Sequence, residues 1–237
     1  MQCDRISLNW PLSAQTKSKK AFYQRALFHQ EIIHKKTRFV NDDTWTFNTQ
    51  ISSQWDGLRH FGYQKEGNET TVNVIQAMAE QGIIGRGILL DYHSWRLTQD
   101  PPIPYAAFEG SSMPLHLLAI AKSQDTEVKF GDILLVRSEY FVEQEKKREE
   151  ELSLWIWENF SAVAGDQPIF ESWPIKQSYS LYEVLLAGWE MPIGELFDLE
   201  KLAEQCKNEQ RWSFFVASEV CNVPGGVASP PNILAMF

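Results

Sequence analysis

Gly87-Ile88-Leu89-Leu90-Asp91-Tyr92 is a short apolar run between turn signals. A strand with one wet face alternates apolar and polar residues, so an unbroken run of this length reads as a strand covered on both faces. Gly131-Asp132-Ile133-Leu134-Leu135-Val136-Arg137 repeats the pattern. Outward from these runs, helical spacing takes over. Ile75, Met78 and Ala79 share a face of a helix over residues 71–81 that Gly82 would end, and Leu115, Leu118 and Ala119 mark another begun at Ser112-Met113-Pro114. Residues 180–188 and 198–206 read as two more, the second N-capped by Asp198. Strands are expected over residues 28–34, over 44–47 after a turn at Asn41-Asp42-Asp43, and over 162–166, 211–217 and 232–237. Such intermixing gives an α/β or α+β class with a mixed sheet. No Gly/Ser-rich or Pro-rich linker divides residues 1–237, which read as one domain.

Polar groups arrive where the first run ends, at Asp91-Tyr92-His93-Ser94-Trp95-Arg96. Open α/β sheets place ligand sites at the C-terminal ends of strands, which makes His93 a candidate. A second stretch, Asn48-Thr49-Gln50-Ile51-Ser52-Ser53-Gln54-Trp55-Asp56-Gly57-Leu58-Arg59-His60-Phe61-Gly62-Tyr63-Gln64, mixes amides, an acid, an imidazole and aromatics with only two aliphatics, Ile51 and Leu58. It suits neither plain core nor plain solvated loop and reads as a site. Asp56 and His60, with Gln50 and Gln54 aimed beside them, have the chemistry of a metal site or an acid–base pair. Asp56 before Gly57 also suits an Asx turn, and His60 a hydrogen-bonded core histidine; spacing alone does not separate these.

A formal charge of −9 disfavours nucleic acid and anionic membranes, which need an electropositive face, and leaves small molecules and proteins as partners. Three cysteines, Cys3, Cys206 and Cys221, are too few and scattered for a disulfide framework or a zinc knuckle. The first twenty residues lack the apolar run of a secretory signal and no segment approaches a membrane span, so the expectation is a cytoplasmic protein. G-x-S-x-G, the P-loop, H-E-x-x-H and a helix-opening G-x-G-x-x-G are all missing. What remains for chemistry is amide, acid and imidazole.

Five blocks carry a resemblance. Gln54-Trp55-Asp56-Gly57-Leu58-Arg59-His60-Phe61, Gly85-Arg86-Gly87-Ile88-Leu89-Leu90-Asp91-Tyr92-His93-Ser94-Trp95, Gly131-Asp132-Ile133-Leu134-Leu135-Val136-Arg137-Ser138, Met191-Pro192-Ile193-Gly194-Glu195 and Pro224-Gly225-Gly226-Val227-Ala228-Ser229-Pro230-Pro231 resemble the fungal branch of the cyclase family, which includes bacterial kynurenine formamidases and isatin hydrolases. The resemblance implies an α/β fold, a kynurenine formamidase-like three-layer β/β/α sandwich with a mixed sheet, and a homodimer. It also implies a zinc or manganese that activates water to open an amide or lactam. In the bacterial signature H-x-G-T-H-x-D-x-P-x-H, the first two histidines and the aspartate bind metal and the last histidine moves protons. On this chain the aspartate falls on Asp56 and the last histidine on His60, but the metal histidines fall on Gln50 and Gln54. A later glutamate ligand matches Glu195, and a later histidine falls near Tyr182.

Glutamine is a weak neutral ligand, so this pattern implies no tightly bound cofactor, at most a zinc or manganese weakly held by Asp56 and Glu195. The expectation is a cyclase-family enzyme acting on a carbonyl-containing small molecule, with His60 and Asp56 as acid–base pair and His93 as the rival catalytic histidine. Gln50, Gln54, Trp55, Tyr63, Trp95 and Tyr182 would bind substrate, Gln50 and Gln54 by donating to its oxygen; Trp45 adds to the aromatic supply. Cyclisation, dehydration or isomerisation in fungal secondary metabolism fits such a site. The alternatives are a metal-dependent amide or lactam hydrolase and a non-catalytic metabolite-binding protein.

Overall fold

The computed structural model describes residues 4–16, 21–36, 39–62, 75–103, 116–138, 149–171 and 179–237. Tyr63, the first residues of the helix expected over 71–81 and the start of the one expected at 112–114 lie outside them. In chain order the strands are β1 (Arg5–Ser7), β2 (His29–Lys35), β3 (Val40–Thr46), β4 (Gln54–Asp56), β5 (Ile83–Asp91), β6 (Asp132–Arg137), β7 (Phe160–Gly165), β8 (Ile193–Glu195), β9 (Ser213–Glu219), β10 (Ala228–Ser229) and β11 (Asn232–Met236). The α-helices are α1 (Ile75–Gln81), α2 (Tyr92–Leu97), α3 (Leu117–Ser123), α4 (Glu149–Asn159) and α5 (Glu200–Glu209).

The two apolar runs became neighbours. β5 and β6 pair in parallel, as do β6 with β7 and β7 with β8, at the centre of a sheet ordered β1-β11-β9-β5-β6-β7-β8-β4-β10 whose other pairings are antiparallel. Successive side chains serve opposite faces. Leu89, Ile133, Leu135 and Ala164 join Leu202, Ala203 and Cys206 of α5 on one side. Ile88, Leu90, Leu134, Val136 and Val163 join Ile120 of α3 and Ile156 of α4 on the other. Burial on both faces is what the unbroken runs required, and the sheet is mixed, with helices on both faces.

Three local expectations need correction. Asn41-Asp42-Asp43 is not a turn but part of β3, paired with Ile32, Ile33 and His34 of β2; both strands are exposed throughout, so polar residues there lose no hydration. Tyr92 does not end the β5 strand. It starts α2, because Asp91 Oδ1 accepts the Ser94 N–H at 3.0 Å and caps the helix. Residues 183–188 wind as a π-helix, and α5 starts at Glu200 after Leu199, with Asp198 Oδ1 3.3 Å from the Glu200 N–H. No described helix is long and apolar enough to cross a membrane.

Candidate active site

β4 is only three residues long, and its pleat sorts them. Trp55 points to the α5 side, fully buried, its indole N–H donating to Ser218 Oγ at 2.9 Å and its ring edge-on to Phe197. Gln54 and Asp56 therefore point the other way, also fully buried. Gly57 follows where a Cβ would lie 2.8 Å from the Ile75 N and 2.9 Å from the Val227 O, so no side chain fits. The His60 N–H closes a turn on the Gly57 O at 2.8 Å, which swings the imidazole back over β4.

Gln50 ties the pieces together. Its Nε2 lies 2.8 Å from Asp56 Oδ1 and 2.8 Å from His60 Nδ1. An amide nitrogen only donates, so Nδ1 must accept and the His60 proton sits on Nε2. That Nε2 is 4.0 Å from Asp56 Oδ2, a buried oxygen with no hydrogen bond. A donor and an acceptor thus face one another across a gap too long for a direct bond.

Glu195 stands opposite Gln54 in the β4–β8 register. Gln54 Nε2 donates to Glu195 Oε2 at 2.5 Å, and the Tyr182 O–H donates to Oε1 while its oxygen accepts the Phe170 N–H at 2.7 Å. Burial and the nearby Asp56 charge push the Glu195 pKa well above the usual carboxylate range. Burial raises Asp56 as well, opposed by the His60 ring in its protonated form, by the Gln50 hydrogen bond and by the Arg25 charge. Two buried carboxylates that feel one another's charge cannot both ionise cheaply, and the push toward the protonated form is stronger on Glu195 than on Asp56. Burial, then Glu195 and Asp56, push the Tyr182 phenol well above its normal value, so it stays protonated.

A cavity of about 220 Å³ opens beside His60, Tyr182 and Glu195. Its remaining lining is Tyr23, Arg25, Phe61, Pro168, Ile169 and Glu171, none singled out by the sequence. Tyr23 and Arg25 come from a stretch that carries no periodic signal. Gln50, Gln54, Asp56, His60, Tyr182 and Glu195 are brought together; of these His60, Tyr182 and Glu195 line the cavity, Asp56 is fully buried next to His60, and the Gln50 and Gln54 amide nitrogens donate to protein acceptors and not outward. Trp55 lies on the wrong face of the sheet to touch this cavity. Trp95 and His93 sit on α2: Trp95 packs 4.8 Å from the His116 ring, and His93 Nδ1 faces Arg96 at 3.3 Å, so neither lines it. Trp45 is exposed on the β2–β3 hairpin.

Whether these residues suit a zinc or manganese ion is decided by where their hydrogens point. Both oxygens of Glu195 and one of Asp56 accept N–H or O–H donors, which sets positively polarised hydrogens where a cation would have to approach. Among the described residues of this group, Asp56 Oδ2 and Gln54 Oε1 are buried without a hydrogen bond, Gln50 Oε1 accepts none, and His60 Nε2 carries its proton. One carboxylate oxygen and two neutral amide oxygens, with the neighbouring imidazole nitrogen protonated, do not make a first-row metal site. The donor set does not fit.

Comparison with solved structures places the architecture. Similar ones include a novel cyclase (TM-score 0.76, 22% identity, covering 99% of this chain and 89% of that one). Isatin hydrolase A from Ralstonia solanacearum is similar at TM-score 0.67 and 12% identity, over 99% and 92% of the two chains. A predicted metal-dependent hydrolase from Bacillus stearothermophilus follows at 0.59 and 11%, over 100% and 99%. At these identities the likeness is one of fold. A search of curated proteins gave no match. The family described as "Putative cyclase" matches residues 6–171, more than half of the sequence, and the chain belongs to the cyclase family.

Proposed function

We propose that this chain is a metal-independent enzyme that moves a proton on a carbonyl-containing small molecule, Asp56 acting as base and neutral His60 as hydrogen-bond donor. The observation that carries this reading is the gap between Asp56 Oδ2 and His60 Nε2. Asp56 Oδ2 takes a proton from the carbon next to the carbonyl. The electron pair moves onto the carbonyl oxygen, which accepts a hydrogen bond from His60 Nε2–H. Asp56 then returns the proton at another atom, so nothing is consumed. A neutral imidazole suits the donor role, with Gln50 Nε2–H facing Nδ1 and the ring proton on Nε2. Burial, which raises the Asp56 pKa, brings the base nearer the working pH. Isomerisation, dehydration and ring closure all use this step.

The same reading makes residues 1–237 one catalytic domain working in the cytoplasm, within fungal secondary metabolism. Its partners are a small-molecule substrate and a second copy, without nucleic acid or membrane; light scattering should give twice 27.4 kDa, and the monomer mass would refute the homodimer. A metal-dependent hydrolase is the second reading, favoured by the retained carboxylates Asp56 and Glu195 and by neighbours named isatin hydrolase and metal-dependent hydrolase.

The test is deuterium exchange at the α-carbon of a panel of α-keto acids and β-diketones in D₂O, followed by proton NMR. The wild-type protein should accelerate exchange of at least one member. D56N should lose about 10² to 10⁴ of that rate as a missing base, and H60A about 10² to 10³ as a missing oxyanion donor. Undiminished exchange in D56N, or none by the wild type, would contradict the reading.

A further inference from the structure

Arg25 enters the cavity from an unusual backbone. It follows the 3₁₀ turn Phe22–Gln24, in which Tyr23 and Gln24 have φ of 54° and 57°. Left-handed conformations are unfavourable for such side chains and persist where the surroundings enforce them. Gln15 does so here: its Oε1 accepts the Phe22 N–H at 2.8 Å and its Nε2 donates to the Ile51 O at 2.5 Å, pinning the turn beside Gln50. The Tyr23 ring lies 5.0 Å beneath the guanidinium, and Nη1 donates to the Gln50 O at 2.8 Å.

The guanidinium has five donors, and that bond uses one. No described carboxylate forms an ion pair with Arg25, although two line the same cavity. Glu171 accepts the Ser180 O–H at Oε1 and the Leu181 N–H at Oε2, and Glu195 accepts Tyr182 and Gln54. Both acids have their oxygens committed elsewhere. A half-buried, unpaired guanidinium facing a cavity is complemented by a planar anion that takes two of its N–H groups. Phe61, Pro168 and Ile169 offer apolar walls for a ring, and about 220 Å³ suits a single one.

We propose that Arg25 anchors the carboxylate of a small planar, ring-bearing substrate. This names the substrate class of the site whose chemistry is assigned above to Asp56 and His60, and rests on that assignment for its link to turnover. Benzoate and its neutral isostere benzamide probe it by calorimetric titration of the full chain. The wild-type protein should bind benzoate at least about 10-fold more tightly than benzamide, the usual worth of a charge-assisted bond. R25Q should abolish the difference while leaving benzamide affinity unchanged, and R25K should retain part of it. Equal affinities, no benzoate binding, or a preference that survives in R25Q would overturn the proposal. Equal wild-type affinities would overturn the proposal even if R25Q misfolds, and R25K then tests the assignment to Arg25. H60A should keep the benzoate preference, so an anion site that fails and an acid–base pair that fails leave different signatures.

Discussion

Gln50 Nε2 lies within 2.8 Å of both Asp56 Oδ1 and His60 Nδ1, and an amide nitrogen has no lone pair to offer either. One side chain therefore selects the imidazole tautomer. Glu195 illustrates the opposite side of burial. Its folded pKa is raised by desolvation and by Asp56, so the protonated form is favoured in the native state. The stability this gives is full below the unfolded carboxylate pKa of about 4.3 and is lost as pH rises through the folded value. E195Q removes that loss. Its amide still accepts from Tyr182, and Gln54 can turn its unpartnered Oε1 toward the new N–H. E195Q should match the wild-type melting temperature in acid and exceed it increasingly toward neutral pH, by about 2–4 °C per kcal/mol relieved. A gap that is constant with pH, or reversed, would show that Glu195 is ionised in the native protein.

At the scale of elements, Arg137 at the end of β6 fastens three pieces. Its Nη1 donates to Asp91 Oδ1 at 2.9 Å at the end of β5, and its Nη2 and Nε to Glu200 of α5 at 2.7 and 2.9 Å. Asp91 is 1% exposed, so R137M would leave a buried charge helped by the Ser94 N–H at 3.0 Å and by Lys207 at 3.4 Å. Denaturant unfolding should show a loss of about 3 kcal/mol, the lower range for breaking a buried pair; a loss under about 1 would mean the clamp adds little. The apolar runs of β5 and β6 were legible because burial on both faces demands continuity, and α1 and α5 because their apolar residues recur at helical spacing. Asp56 and His60 lie side by side, as a stretch unfit for core suggested they could. Trp55 misled, since a three-residue strand gives too little alternation to show which face an aromatic serves. Arg25 could not be seen at all: its place comes from Gln15 and Gln50, contacts that no local pattern encodes.

Over the whole molecule, the centre of the sheet is parallel and buried on both faces, and its β8–β4 side holds the candidate site. β4 and β8 hold Gln54, Asp56 and Glu195 in register, and the turns before and after β4 bring Gln50 and His60 to them. Donors on both Glu195 oxygens and on Asp56 Oδ1 tie this group together. Melting in the presence of a strong chelator should accordingly match melting with added zinc or manganese within about 1 °C, since no ion binds the native state preferentially. A clear rise with either metal would restore the hydrolase. The account turns on a neutral His60 whose proton faces Asp56 across the gap. Long-range proton–nitrogen NMR of the full chain at neutral pH, with His60 assigned by its loss in H60A, reads this directly. The account predicts the Nε2–H tautomer with an unprotonated Nδ1; an Nδ1–H tautomer or a doubly protonated ring would contradict it.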